Sequence, residues 1–236
     1  MIRIEGVTKR FGQLDVLKGL DVVIHPGRVT GIVGHNAAGK TTLIKTILGL
    51  TRRDAGEIFV DGVRVNGDES YRSSIGYMPQ IARFPSGLTG KVLLDMLRAL
   101  RPHDRVDETL IDAFGIRSEL KKNLNTLSGG TKQKINAVSA FLFDPSLLIL
   151  DEPTAGLDPR SSSLLKDRIA ADRARGKTFI VTSHLMAELQ EIADDVVFMS
   201  EGRVRFSGSV DEMMDVTRQA NLERAVAALM DRGVAA

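Results

Sequence analysis

The sequence lacks cysteine, long apolar runs and an N-terminal targeting pattern. None of its 236 residues is cysteine, which excludes a disulfide framework and thiolate-bound metal and is typical of proteins in a reducing compartment. No apolar run reaches about 18 residues, the length that a membrane-spanning helix needs, and the N-terminus shows no basic-then-apolar signal segment. We therefore expect a cytoplasmic protein that does not itself cross a membrane.

A strong excess of either charge is also missing. The net charge is +2, which is too small to indicate a nucleic-acid-binding surface. Charged residues make up 26% of the chain and hydrophobic residues 43%, a balance that is typical of globular proteins. The length allows one large domain or a domain with an inserted lobe, and no repeat or low-complexity linker is present.

A glycine-containing loop joins an apolar run, Val29–Val33, to a helix-forming segment. Its sequence, Gly34-His-Asn-Ala-Ala-Gly-Lys-Thr41, fits the pattern G-x-x-x-x-G-K-[ST]. In that pattern backbone N–H groups point inward, so a polyphosphate can rest at the positive end of the helix. The alternative is a chance glycine-containing turn. The predicted nucleotide-binding residues here are Gly34, His35, Asn36, Ala37, Ala38, Gly39, Lys40, Thr41 and Thr42.

Ala37 occupies a position where a third glycine often helps such a loop to turn. Because alanine disfavours positive φ, we expect the backbone there either to avoid positive φ or to tolerate some strain.

The first third of the chain also has strand patterns. Ile2–Phe11 alternates apolar and polar residues, Leu20–Ile24 reads as a second strand, and Ile58–Val65 contains an Asp-Gly pair typical of a tight hairpin. These segments predict an antiparallel sheet. Phe11, at the end of its strand, has two interpretations, core packing or a stacking surface for a purine ring.

Several polar side chains follow apolar strands further along the chain. Asp151 and Glu152 end the run that begins at Leu147, His184 follows Thr178–Thr182, and Gln80 follows a short strand closed by proline. In open α/β sheets, ligands bind at the carboxyl edge of parallel strands, which favours functional roles. The alternatives are a charged loop, a structural histidine and a surface glutamine.

Helical patterns fill the stretch from about 88 to 143. Within it, Ser128 is a good helix N-cap, and the two glycines after it would let a ligand approach the backbone closely. Near the C-terminus, Ser209–Glu212 matches a capping box, and residues from about 217 predict a final amphipathic helix.

Taken in order, these motifs resemble the nucleotide-binding subunit of ATP-binding cassette (ABC) transporters. The most specific part is Leu127-Ser-Gly-Gly130 between the phosphate loop and the Asp151–Glu152 strand. The resemblance implies an α/β P-loop NTPase fold, with a RecA-like core, an antiparallel β subdomain and an inserted α-helical subdomain. The expected bounds are 1–87 and 144–216 for the core with its β subdomain, 88–143 for the helical subdomain and 217–236 for a C-terminal helix.

The resemblance also implies roles for single residues in a head-to-tail dimer around two ATP molecules with Mg²⁺. Glu152 is the expected general base, His184 the γ-phosphate contact, and Gln80 lies near the metal with Thr41 and Asp151. Phe11 would stack on adenine, with Val16 beside it. From the opposing subunit, Ser128, Gly129 and Gly130 would bind the γ-phosphate. Asp158 would link the two sites across the interface.

The motifs specify the partner and the transported cargo less closely than the nucleotide site. The transporter interpretation competes with soluble ABC ATPases of translation or DNA repair and with a pure nucleotide-binding module. Translation ATPases generally carry two cassettes, repair ATPases contain a long coiled coil, and Glu152 with His184 disfavours a module without catalysis. His35 and the 80–85 segment look like the ATPase subunit of the transporter that matures nitrous oxide reductase by handling copper or sulfur. We expect a membrane permease to dock near Gln80–Leu88, around Phe84, and no nucleic acid.

Overall fold

The structure is a computed structural model that describes residues 1–67, 69–101 and 106–234. It divides into two compact units, Met1–Arg72 with Thr178–Ala236, and Ser73–Lys177. Residues 102–105 of the predicted helical stretch, and residues 235 and 236 of the predicted last helix, lie outside the described part.

The chain forms both strands and α-helices, and they alternate from α4 to β9. The strands are β1 (Ile2–Phe11), β2 (Leu14–Ile24), β3 (Val29–Val33), β4 (Ala55–Val60), β5 (Val63–Arg64), β6 (Ile75–Met78), β7 (Leu147–Asp151), β8 (Thr178–Thr182), β9 (Asp195–Ser200) and β10 (Arg203–Ser209). The α-helices are α1 (Lys40–Ile47), α2 (Gly90–Leu100), α3 (Thr109–Ala113), α4 (Gly129–Phe141), α5 (Pro159–Ala174), α6 (Met186–Ile192), α7 (Val210–Thr217) and α8 (Leu222–Val234).

The first unit contains the predicted antiparallel sheet, with strand order β2-β1-β4-β5. The hairpin between β4 and β5 turns at Asp61 and Gly62, with φ of 47° and 82°. Two left-handed residues in succession form the turn that suits a two-residue hairpin, so the Asp-Gly prediction is confirmed. Strand β2 begins at Leu14, earlier than the predicted Leu20, because β1 pairs with it from Phe11 opposite Leu14 to Ile2 opposite Ile24.

A second set of strands in this unit positions the phosphate loop. Strand β3 pairs in parallel with both β8 and β9, and β10 pairs antiparallel with β9. Every residue of β3 and β8 is buried. Continuous apolar runs are typical of parallel strands that are covered on both faces. Ile32 lies opposite Thr182, so the loops after β3 and β8 leave the same edge.

The second unit contains two parallel strands and most of the helices. Strands β6 and β7 pair in parallel, with Met78 opposite Leu150, as predicted for the apolar run at Leu147. Helix α4 lies against β6 so closely that a Cβ on Gly76 would sit 2.1 Å from the Ala140 carbonyl oxygen. Strand and helix are therefore in direct backbone contact.

Polar capping sets the start of several helices. The Ser128 side chain accepts a hydrogen bond from the Thr131 N–H at 3.1 Å, which confirms the predicted N-cap of α4. Ser209 and Glu212 form the predicted capping box of α7. Arg218, with φ of 55°, ends α7 in the left-handed region. For that reason the last helix begins at Leu222 rather than at the predicted position near 217.

A group of charged side chains is buried near the end of α5. The Asp172 carboxylate is fully buried and pairs with Arg168 Nε at 3.0 Å and Lys177 Nζ at 3.0 Å. Arg168 also pairs with Asp107 at 2.6 Å. Buried charges are tolerated when they are paired in this way. The Arg168–Asp107 pair attaches α5 to the segment before α3.

Within the part of the chain that the structure describes, no helix is both long enough and apolar enough to cross a bilayer.

Candidate functional site

The loop between β3 and α1 has backbone positions that only glycine can occupy. A Cβ on Gly34 would lie 2.2 Å from the Met199 carbonyl oxygen. On Gly39, with φ of 100°, it would lie 2.9 Å from Leu17 Cδ2 and 3.0 Å from the Val16 carbonyl oxygen. The loop is thus pressed against β2 and β9, which holds its shape before any ligand binds.

Ala37 adopts positive φ in spite of its side chain. Its φ is 67°, in the left-handed region that costs an L-residue about 1–2 kcal/mol. Of the two outcomes expected from the sequence, the structure shows the tolerated strain. Neighbouring Ala38 is buried and donates its N–H to the His35 carbonyl at 3.2 Å, so the loop around the strained residue is internally bonded.

Helix α1 starts at the end of this loop and presents polar groups there. Lys40 Nζ donates to the carbonyl oxygens of Gly34 at 2.6 Å and His35 at 3.2 Å, which places its ammonium over the loop. The Thr41 residue is exposed in the first turn. That turn carries no acidic residue and no side-chain cap, and a helix N-terminus of this kind favours an anion.

The other predicted site residues of the first unit lie on neighbouring strands. Phe11 is 50% exposed at the end of β1, with Lys9 Nζ at 5.1 Å from its ring centroid, so the core-packing interpretation of Phe11 is wrong. Val16 contributes its carbonyl to the wall behind Gly39. His184 is exposed just after β8, at the same edge as the end of β3.

In the second unit, Gln80, Asp151 and Glu152 lie at or just after the ends of two adjacent parallel strands, β6 and β7. Gln80 is exposed, whereas Asp151 is 4% and Glu152 7% exposed. Glu152 has φ of 54°, which is unusual for a residue with a long side chain. Burial together with the charge of Asp151 raises the pKa of Tyr77 in β6 to about 12. A neutral phenol therefore lies near the Asp151 carboxylate at ordinary pH.

The start of α4 is open on one side and crowded on the other. Ser128 and Gly129 are exposed, and a Cβ on Gly129 would meet nothing within 4 Å. A Cβ on Gly130 would lie 2.9 Å from the Gly156 carbonyl oxygen. The Ser128–Gly130 backbone can therefore receive a ligand from outside while its inner side contacts the loop before α5.

Asp158 is held by its own chain. It caps α5 by accepting hydrogen bonds from the Ser161 N–H at 2.9 Å and the Ser161 hydroxyl at 2.8 Å. It also pairs with Lys134 Nζ at 2.7 Å. Lys134, followed by the bonds from Ser161, keeps the pKa of the Asp158 carboxyl well below its usual value. This residue is ionised at any ordinary pH.

Sequence reasoning missed three polar residues of α4 that contact the predicted site. Gln133 and Asn136 are buried and bond to backbone carbonyls of Glu152 and Pro79, and Lys134 pairs with Asp158. No short motif singles them out. Their available signal was the position of two amide side chains among the apolar residues of the predicted helix.

Comparison with known proteins identifies the family. The family model described as ABC transporter matches residues 17–155, which is more than half of the chain. The chain belongs to the ABC transporter family. This confirms the family, the P-loop NTPase fold class and the general function predicted from the sequence, that of an ATP-binding ATPase subunit of an ABC transporter.

Relatives from several bacteria match most of this ABC transporter chain. The daunorubicin resistance ATP-binding protein DrrA3 of Streptomyces coeruleorubidus is 34% identical over 219 residues, which is 90% of this chain and 69% of that protein. The Nod factor export ATP-binding protein I of Rhizobium sp. strain N33 is 34% identical over 220 residues, covering 91% of this chain and 72% of that protein.

Solved structures agree with the fold. A structure described as the ATP binding subunit of an ABC transporter has a TM-score of 0.91 at 28% identity, over 98% of this chain and 99% of that one. A dimeric structure of MJ0796, a bacterial ABC transporter cassette, has a TM-score of 0.79 at 20% identity, over 89% of this chain and 98% of that one. At that identity, the second match shows the fold alone.

Proposed function

We propose that two copies of this chain clasp two ATP molecules head to tail, hydrolyse them and thereby power a membrane permease. The observation that carries the proposal is one chain with two complementary surfaces. One is the glycine-restricted loop with Lys40 over it, and the other is the exposed Ser128–Gly129 backbone at a helix start. A cassette that matches this fold is described as dimeric, which supports the pairing.

The nucleotide would bind mainly to the first unit. Its phosphates would rest on the loop amides of 34–42, and Lys40 would exchange its loop carbonyl partners for the outer phosphate oxygens. Adenine would stack on Phe11, whose ring is half exposed, with Val16 beside it. The preformed shape of the loop reduces the ordering that binding requires.

The residues present suit Mg²⁺ as the companion of ATP. Thr41 offers a hydroxyl, Gln80 an amide oxygen and Asp151 a carboxylate, and oxygen ligands of this kind are those that Mg²⁺ prefers, together with phosphates and water. When bound, Mg²⁺ neutralises charge that develops on the phosphates. The exposed Thr41 in the first turn of α1 fits this role.

Glu152 is the proposed general base for water. Phosphoryl transfer requires positioning and charge neutralisation more than covalent chemistry, so a carboxylate that orients and deprotonates water is the main reactive group the protein must add. Its strained backbone, with φ of 54°, supports a functional role, since such strain concentrates at active sites. His184 would contact the γ-phosphate and hold the geometry.

The opposing subunit would complete each site. Ser128, Gly129 and Gly130 would bind the γ-phosphate with a hydroxyl and backbone amides at the positive end of α4. Asp158 would connect the two sites across the interface. The open space at Gly129 supports this arrangement, because an approaching phosphate meets no side chain there.

The partner and the arrangement of subdomains are also proposed. The chain would form one ABC ATPase domain, in which 88–143 is the helical subdomain and 217–236 a C-terminal helical region, acting at the cytoplasmic face of the membrane. The permease would dock at Gln80–Leu88, where Ile81 is 64% exposed and Phe84 partly so. The likeness to a copper- or sulfur-handling transporter stays a prediction.

Glu152→Gln tests the function directly. We expect this variant of the full chain to bind Mg-ATP as tightly as the unchanged protein, to hydrolyse it at least about 100-fold more slowly, and to accumulate as a dimer in ATP on size-exclusion chromatography. Glu119→Gln, which removes a surface carboxylate paired with Lys122, serves as the control and keeps the normal rate. Unchanged hydrolysis in Glu152→Gln contradicts the proposed base.

A further inference from the structure

Two amide side chains are buried in helix α4 of the second unit. Gln133 is 6% exposed and Asn136 4% exposed. The other buried side chains of the same helix are all apolar. They are Ile135, Ala137, Val138, Ala140 and Phe141. Burying an amide is unfavourable unless its polar atoms are hydrogen-bonded. The partners of these two side chains are therefore what makes their position tolerable.

These amides form a continuous chain of hydrogen bonds. Asn136 Nδ2 donates to the Pro79 carbonyl oxygen at 2.8 Å and to Gln133 Oε1 at 3.4 Å. Gln133 Nε2 donates to the Glu152 carbonyl oxygen at 3.3 Å. These hydrogen bonds thus connect the backbone of Pro79, the residue before Gln80, to the backbone of Glu152. Hydrogen bonds linked through one amide polarise each other, so they act together more than as separate contacts.

Both ends of this chain are functionally placed. At one end, Glu152 holds a left-handed backbone conformation, which persists only where the surroundings enforce it. A bond to its carbonyl restrains the peptide plane and hence the direction of its side chain. At the other end, Pro79 leads into a segment with exposed Gln80 and Ile81. That segment is therefore accessible to a partner.

We propose that Gln133 and Asn136 are positioning residues, an amide relay that sets the orientation of Glu152 according to the position of the Pro79–Gln80 segment. The inference rests on the proposed function, because it takes Glu152 as the base. Neither amide is among the residues proposed to touch ATP. The relay therefore acts on the hydrolytic step and not on nucleotide affinity, and it gives a partner docked at Gln80 a path to the base.

Steady-state hydrolysis of Mg-ATP by the purified full chain tests the relay. Gln133→Ala and Asn136→Ala should each lower kcat about tenfold, because misplacing a base by a fraction of an ångström is costly. KM for ATP should stay within about twofold. The double variant should be no slower than the slower single variant, since the two side chains act as one unit. Multiplying effects, a matching rise in KM, or an unchanged kcat would overturn the proposal.

Two further variants separate the relay from packing. Gln133→Met keeps the length and volume of the side chain without a hydrogen-bond donor, so it should show the same loss of kcat as Gln133→Ala while keeping the unchanged protein's melting temperature. A normal kcat in this variant contradicts the relay. Ser139→Ala is the matched control on α4, because its hydroxyl bonds only locally to the Ile135 carbonyl at 2.9 Å, and it should leave kcat and KM unchanged.

The unchanged protein and Glu152→Gln, assayed in parallel, distinguish the two levels of failure. If the unchanged protein hydrolyses ATP and Glu152→Gln does not, the proposed base stands, and normal rates in the α4 variants then reject the relay alone. If Glu152→Gln hydrolyses ATP normally, the proposed base fails, and the relay fails with it.

Discussion

The two units hold their predicted site residues by different means. In the first unit the loop from Gly34 to Gly39 is shaped by its backbone, because a Cβ on Gly34 would lie 2.2 Å from the Met199 carbonyl oxygen and Gly39 has a φ of 100°. In the second unit the residues after β6 and β7 are held by side chains of α4, through Gln133 and Asn136. One region depends on the absence of side chains and the other on their hydrogen bonds.

This difference predicts two kinds of sensitivity. At Gly34 the backbone leaves no space for an added atom, so a substitution there should weaken ligand binding strongly in one step. A site positioned by side-chain hydrogen bonds loses accuracy gradually, because each bond contributes only part of the restraint. Substitutions in the loop of the first unit should therefore impair ATP binding. Substitutions in the hydrogen bonds of the second unit should impair turnover.

The largest effect is expected from Gly34→Ala, which tests the backbone-shaped loop. The new Cβ would lie 2.2 Å from the Met199 carbonyl oxygen, so the loop must move, and a shift of about 1 Å should weaken ATP binding at least about 100-fold. Titration calorimetry measures the affinity. Gly19→Ala is the control, because Gly19 also has positive φ but open space around it. Equal ATP affinity of Gly34→Ala and the unchanged protein contradicts the steric argument.

Gly76→Ala asks whether the second unit also contains a backbone-restricted position. Its Cβ would lie 2.1 Å from the Ala140 carbonyl oxygen, which forces β6 and α4 apart. We expect a loss of about 2–3 kcal/mol in the free energy of unfolding, measured in urea. Gly129→Ala, in the same unit but with nothing within 4 Å, should cost nothing. Equal free energies of unfolding for the two variants would contradict the steric restriction at Gly76.

Asp107→Asn tests a side-chain interaction in the second unit through pH. Burial alone would raise the pKa of Asp107, but bonds from Arg168 and Thr109 outweigh it and lower the pKa to about 2. A lowered pKa stabilises the fold above about pH 4, and this stabilisation is lost as the pH falls toward about 2. Allowing for solvent screening, the variant should be about 1–2 kcal/mol less stable at pH 7.

Urea unfolding of Asp107→Asn and the unchanged protein at about pH 7, 4 and 2.5 measures this difference. The difference in the free energy of unfolding between the two proteins should become smaller as the pH falls from about 4 to about 2.5. If the difference in the free energy of unfolding does not change with pH, the lower stability of Asp107→Asn comes from packing and not from charge.

The smallest effect is expected from Ala37→Gly. Glycine relieves the left-handed strain at φ of 67°, but it also gives the unfolded chain more freedom, so the net gain should be under about 1 kcal/mol. Thermal unfolding should show a small rise in melting temperature. A fall would mean that the Ala37 methyl group contributes packing that exceeds its strain.

Much of the fold could be predicted from local patterns. The hairpin at Asp61, the N-cap at Ser128 and the apolar strand from Leu147 were readable because turn chemistry, capping and burial act over a few residues. The start of β2 at Leu14 was not, because pairing with β1 extends the strand beyond its own apolar pattern. Helix α5 was also missed, although Asp158 as N-cap followed by Pro159 was an available start signal.

The site was predictable as a set of motifs but not as a set of contacts. Loop glycines and strand-end carboxylates follow known spacings, whereas the bonds made by Gln133 and Asn136 join residues far apart in the chain. Nothing local shows that an amide on a helix will face a particular carbonyl. Such partners are set by tertiary packing, and only the buried position of the amides could have suggested them.

In the proposed dimer, the contacts that Asp158 makes within its own chain would limit those it can make with a partner. A carboxylate offers about four acceptor positions, and Ser161 and Lys134 already occupy three of them. A neighbouring molecule can add one donor, but a second must displace either Ser161 or the Lys134 ammonium. Where the Lys134–Asp158 ion pair is the contact that breaks, association through this carboxylate depends on ionic strength.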